Sequence, residues 1–224
     1  MMAAPLFWAC GSDVSSASLE SDDQKASYTI GRDLGSQLKP ASEFIDMAAF
    51  RRGIEDAFAD RESAVPQSEM GAIMQAFGQR VRESEQQQFN VDKERNASEG
   101  SAYLAENGQK SGVTTTASGL QYEVLRAAEG GRRPAAGDRV QIHYEGKLID
   151  GTVFDSSYER ATPATFGVND VIPGFSEGLM LMEVGSKYRF VIPGDIGYGE
   201  AGSGPVIGPN ATLIFEVELL DIPG

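Results

Sequence analysis

Residues Val140–Arg160 read VQIHYEGKLIDGTVFDSSYER. Two short runs rich in β-branched and aromatic residues flank Asp150-Gly151, a dipeptide that favours the tight turn of a β-hairpin. In an extended strand neighbouring side chains face opposite sides, so Ile142 and Tyr144 share one face and His143 points to the other. Ile142 is apolar and belongs inside. That choice turns Tyr144 inward and sends His143, the chain's only histidine, toward solvent. The turn then brings Phe154 and Asp155 back to the Tyr144 side. A His, an Asp and a Ser in one stretch invite a nucleophilic triad, but the alternation scatters them. The stretch itself contains no G-x-S-x-G elbow.

Outward from this hairpin the same texture continues. SGLQYEVLRA, SKYRFVIP and ATLIFEVELLDI are strand-like, and PGFSEGLMLM is one short apolar helix. Many strands with a single helix make an antiparallel sheet packed against that helix, an α+β fold. The change of character falls at Ser111-Gly112. Before it the period is helical. Ala26, Ile30, Leu34 and Leu38 form one stripe, with Ser27, Gly31 and Gly35 as a second row of small residues where another backbone can approach. Pro40 ends that helix. Phe50, Ile54, Ala57 and Phe58 mark a second helix, and Pro66 opens a third, with Met70, Ile73, Met74, Phe77 and Val81 read as its core face. Beyond Val81 the chain is polar with charges of both signs. It is expected to continue as a solvated helix to about Lys110, a rod of roughly 65 Å at 1.5 Å per residue. The alternative is a flexible linker broken at Gly100 and Gly108. Three one-sided helices cannot close a good core alone.

The whole chain has 224 residues, a formal charge of −14 and 41% hydrophobic residues, enough for one or two domains with at least one core. The charge is spread evenly, with 18 acids and 11 bases up to Ser118 and 15 and 8 after it. Such a surface repels phosphate backbones, so nucleic acid is excluded as a partner. A single cysteine, Cys10, allows no intrachain disulfide. One His and one Cys cannot build a zinc site of the usual kind, no P-loop is present, and the Gly-rich GDIGYGEAGSG lacks the preceding strand and following helix of a Rossmann fingerprint. No metal or cofactor is expected. The Gly-rich GDIGYGEAGSG is read as a loop. Tyr198 lies within it, where a large ring is rarely needed for packing.

The order and spacing of VQIHYEGKLIDGTVFDSS, VIPGFSEGLMLMEVGSKYRFVIP, YGEAG and NATLIFEVELL resemble the FKBP family of peptidyl-prolyl cis-trans isomerases, from about Thr115 to Ile222. KASYTIGRDLGSQL and the long polar helix resemble the dimerisation region of the Mip/FkpA/FklB group of bacterial FKBPs. The resemblance implies an antiparallel sheet wrapped around a short helix, with an apolar pocket between them. It implies Tyr144, Phe154, Asp155 and Tyr198 as catalytic residues. Val171, Ile172, Phe175, Ile207 and Phe215 would bind the substrate, with Phe175 as the floor. Arg160 would support Asp155. It further implies a homodimer through Gly31 and Gly35, proline-containing polypeptide clients, macrolide inhibitors as ligands of the pocket, and no cofactor. Three positions depart from the best-known pattern: Phe175 where many members have Trp, Ala164 where some have a second Phe, and Ser203 where a His can occur.

The first residues, MMAAPLFWACGSD, resemble the tail of a bacterial lipoprotein signal whose cysteine, Cys10, would be lipidated, though no Lys or Arg precedes it and the apolar run is short. The alternative is an incidental cysteine in a disordered N-terminus. The expected organisation is therefore a leader and linker over 1–21, a helical dimerisation domain with its long helix over 22–112, and an isomerase domain over 113–224. The expected location is the bacterial cell envelope, periplasmic or anchored at the outer membrane, with the cytoplasm as the alternative.

Overall fold

The computed structural model of the protein describes residues 17–223. Cys10, the expected lipidation site, lies outside the described residues. The chain divides into two compact units, Met1–Glu85 and Gln86–Gly224.

In the first unit, α1 (Asp22–Leu38) begins with a capping box. Gln24 N–H donates to Ser21 Oγ at 3.2 Å, and Ser21 N–H donates to Gln24 Oε1 at 3.0 Å. Pro40 stops the α-helix and the chain tightens into a 3-10 segment, Lys39–Phe44. Asp46 caps α2 (Met47–Phe58) by accepting from the N–H groups of Ala48 and Ala49 at 2.9 and 2.8 Å. Phe44 meets Phe77 edge to face at 6.5 Å, and Arg80 lies 5.7 Å from the Phe44 ring centre.

The face read as core does not form one. Ile73 and Met74 are exposed, Met74 at 63%, and Phe58 of α2 is 89% exposed. Ala41 is the only buried apolar residue among those described in this unit. The amphipathic stripes are real, but three helices supply too little surface to cover them.

The third helix, α3 (Gln67–Asn107), is continuous for 41 residues. Gly100 is no break. It is buried, because a Cβ there would run into the Thr212 side chain. The lower half of α3 therefore belongs to the second unit and touches the rest of it along one face, at positions such as Asn96, Gly100 and Asn107, where the sequence suggested a solvated helix.

The second unit is a seven-stranded antiparallel sheet: β1 (Val113–Thr115), β2 (Gln121–Arg126), β3 (Arg139–Leu148), β4 (Val153–Ser156), β5 (Ala164–Gly167), β6 (Lys187–Ile192) and β7 (Leu213–Asp221). The order is β1-β2-β6-β7-β3-β4, with β5 paired to the first half of β3. The short strands β1 and β5 were not foreseen. Along β3, Val140, Ile142, Tyr144 and Gly146 are buried while their neighbours are half-buried or exposed, the alternation expected of one inward face. A single helix, α4 (Pro173–Leu181), lies across that face. Glycine permits the close approach: a Cβ on Gly178 would stand 2.8 Å from the Phe190 ring. Phe190, Ile192, Leu213, Val217 and Leu219 close the core beneath it.

Candidate functional site

Between α4, the inward face of β3, β4 and β7, and the loop after β6 lies a cavity of about 520 Å³. Tyr144, Phe154, Asp155, Val171, Ile172, Phe175, Tyr198, Ile207 and Phe215, each expected at the site, all line it. Ring-to-ring contacts fix its floor and walls. Phe175 lies 4.8 Å from Phe215 and 6.3 Å from Tyr144, and Phe154 stands perpendicular to Phe215 at 5.5 Å. These rings need space that one residue provides. Gly146 sits opposite Asp155 on β4 and Phe215 on β7, and a Cβ there would be 2.6 Å from the Phe154 ring and 2.7 Å from that of Phe215.

Asp155 stands on the rim with its charge already engaged. Its carboxylate accepts from the Tyr144 hydroxyl and from Arg160, and Arg160 also donates to the Tyr144 oxygen at 3.0 Å. Burial works to raise the Asp155 pKa, but the hydrogen bonds from Tyr144 and Arg160 outweigh it and hold the carboxyl below its usual value. Burial, reinforced by the bond to Asp155, pushes Tyr144 up to about 12. The pair is thus a carboxylate and a neutral phenol across the ordinary pH range, and neither is poised near neutrality to exchange a proton.

Ile172 precedes α4. Its carbonyl accepts the N–H groups of Phe175 and Ser176, both at 3.0 Å, while its own N–H has no protein acceptor among the described residues. Tyr198 is 38% exposed, and its hydroxyl has no protein partner among the described residues. Both donors line the cavity.

The histidine is elsewhere. His143 faces away from Tyr144, stacks on Tyr158 at 4.7 Å, and shares a 3.0 Å hydrogen bond with Ser157 Oγ. Ser157 is fully buried, and its hydroxyl is held by both the N–H and the carbonyl of Tyr144. A His–Ser contact therefore exists, but with no acid behind it and no access for a substrate. Among the described residues no cluster of His, Cys, Asp and Glu could hold a metal ion.

Sequence reasoning missed Phe166, which lines the cavity and packs edge to face on Tyr144 at 5.8 Å. The second Phe missing at Ala164 is supplied two residues on, on the same face of β5. Alternation in ATFG could have found it had β5 been recognised. Pro205 and Val206 were also missed: they lie in a loop with no period.

Comparison with known proteins accounts for this arrangement. Residues 130–220 match the family model of the FKBP-type peptidyl-prolyl cis-trans isomerase, and residues 23–124 match that of the domain amino terminal to it. The FKBP-type 22 kDa peptidyl-prolyl cis-trans isomerase of Escherichia coli is 46% identical over 201 residues, covering 89% of this chain and 95% of its own. The chain belongs to the FKBP-type peptidyl-prolyl cis-trans isomerases. This FKBP is also 38% identical to the outer membrane protein MIP of Legionella longbeachae, over 92% of this chain and 88% of that one. The crystal structure of FkpA from Escherichia coli superposes with a TM-score of 0.70 at 39% identity, covering 92% of this chain and 98% of that one. Both halves of the FKBP, helical and sheet, thus have counterparts in its relatives.

Proposed function

We propose that the 520 Å³ cavity is where this isomerase turns X–Pro bonds, and that it does so without a nucleophile. Rotation about the bond faces a barrier near 20 kcal/mol because the amide is resonance-stabilised. The twisted transition state loses that resonance and some charge separation. An apolar pocket with few polar groups favours it over the planar ground state. The prolyl ring rests on Phe175 between Phe154, Phe215 and Ile207. The free donors, Ile172 N–H and Tyr198 O–H, hold the flanking carbonyls. Tyr144 and Arg160 restrain the Asp155 carboxylate, so it shapes the rim without transferring a proton.

The observation that carries this reading is the aromatic cavity in which the Asp155 carboxylate is held by Tyr144 and Arg160. A proline-limited refolding assay tests it. Asp155→Leu is expected to lower the catalysed rate at least tenfold, and an unchanged rate assigns the activity to another place.

The uncovered faces of the helical unit support a homodimer through Gly31 and Gly35. In α1 a Cβ at either glycine would meet nothing within 4 Å, so the row is open to a second chain. A dimer bearing two prolyl pockets acts on unfolded proline-containing chains as isomerase and chaperone together. A relative named as an outer membrane protein supports a place in the cell envelope, and the MMAAPLFWACGSD stretch makes Cys10 the candidate lipid-bearing residue. Mass spectrometry of the native N-terminus checks this: a lipidated Cys10 is expected, and an intact, unmodified leader contradicts it.

A further inference from the structure

A second cavity, about 440 Å³, lies in the same unit between the Asp92–Glu99 stretch of α3, the turn Leu148–Asp150 and residues 205–212. It shares two residues, Pro205 and Val206, with the prolyl cavity. Both are exposed, so the two cavities meet along a short solvent-facing ridge. A polypeptide seated by its proline must leave the pocket in two directions. In extended form it advances about 3.3 Å per residue, so a chain leaving over this ridge would enter the second cavity.

The second cavity is built rather than left over. Asn96 Nδ2 donates to the Pro209 carbonyl at 2.8 Å, Asn210 Nδ2 donates to the Lys93 carbonyl at 3.4 Å, and Lys93 Nζ pairs with Glu200 at 2.8 Å. These bonds seat α3 against the loop that also walls the prolyl cavity. The lining is mixed. Leu148, Ile149 and Ala211 are apolar, and the charged members are Asp92, Glu99, Asp150 and Arg95. Arg95 pairs with Asp92 at 2.8 Å. Glu99 and Asp150 have no ion pair among the described residues, and Asp150 is held in place by accepting Thr152 N–H at 2.9 Å. The cavity therefore keeps two uncompensated carboxylates beside aliphatic surface, which suits the stem and head of a Lys or Arg side chain.

We propose that this groove binds the flank of the client chain and selects a basic residue at a fixed distance from the isomerised proline. The inference rests on the prolyl reading of the first cavity. It assigns α3 a part in choosing substrate, and it draws that choice from continuity between two cavities and from complementary charge.

The test uses the full chain and proline peptides carrying one Lys in an Ala background, stepped through successive positions on either side of the proline. Isomerisation is followed by exchange NMR at low salt. One register is expected to raise kcat/KM roughly two- to fivefold over the all-Ala peptide, the range of one charge contact in an exposed site. Glu99→Gln with Asp150→Asn should bring that ratio to one, and Glu99→Lys should transfer the preference to a Glu-bearing peptide. Either no favoured register, or a Lys preference that survives the double substitution, overturns the groove. The first cavity is controlled separately. Phe154→Ala should depress every peptide alike, and if it depresses none, the prolyl reading fails and takes the groove with it.

Discussion

Each unit carries regular apolar stripes, of different period, and the two reach opposite outcomes. In Gln86–Gly224 the alternation of β3 and β7 and the apolar α4 close on one another until Phe190, Ile142, Leu179 and Leu219 are fully buried. In the described part of Met1–Glu85 equally regular stripes leave Phe58, Ile73 and Met74 exposed. The sheet unit contains the partner for each of its apolar faces, and the helical unit does not. Periodicity tells which face avoids water. It does not tell what covers that face.

Glycine sharpens the contrast, because it occurs inside a helix in both units. The largest expected effect is on assembly. A Cβ at Gly31 or Gly35 meets nothing within 4 Å among the described residues, yet Gly31→Leu with Gly35→Leu should halve the mass measured by light scattering if the proposed dimer separates. An unchanged mass breaks the link between the open row and dimerisation. In α4 the same kind of residue is filled from outside, since a Cβ on Gly178 would stand 2.8 Å from Phe190. Gly178→Ala should therefore cost about 1–3 kcal/mol of overpacking, read as a lower Tm by calorimetry. Gly31→Ala in α1 should not cost the monomer anything and gains about 1 kcal/mol of helix propensity.

Smaller effects follow from the site's electrostatics. The depressed Asp155 pKa means that its stabilising contribution is complete above the unfolded value of about 3.9 and is lost as pH falls through the folded value. Tyr144, raised to about 12, contributes fully below the unfolded value of about 10 and loses that contribution as pH climbs toward 12. Between these limits, from about pH 5 to 9, kcat/KM for a proline peptide should be flat. The smallest expected change is none: His143→Ala should leave kcat/KM as it was. A large loss of kcat/KM in a folded His143→Ala would return the histidine to the chemistry.

The sheet half was legible because a two-residue period, an Asp-Gly turn and one inward Tyr fix which side of each strand is buried. Tyr144 follows from that. The period alone admits only one of the neighbours Phe154 and Asp155 to its side, and the register shift at Gly146/Lys147 brings in both. The resemblance supplied Val171, Ile172 and Ile207. Phe166 escaped because β5 is four residues long, too short for its alternation to stand out from a loop. Gly100 escaped for a different reason. A glycine in a polar helix reads as a weak point, and only the position of Thr212, more than a hundred residues later, shows that it is where helix and loop touch. The exposure of Met74 and Phe58 was hidden for the same physical reason, since cover is a property of distant chain and not of the local pattern.

The central claim is that an apolar cavity in the second unit turns the prolyl bond by shape and by fixed donors alone. Its most direct test is kcat/KM of Phe154→Ala on a short proline peptide, with the Tm of the sheet unit measured alongside. The ring touches Phe215 and fills the space that Gly146 leaves open, and it makes no polar contact. A fall of at least tenfold in kcat/KM with a cooperatively folded unit is the predicted result. An unchanged kcat/KM in that folded variant would contradict the account.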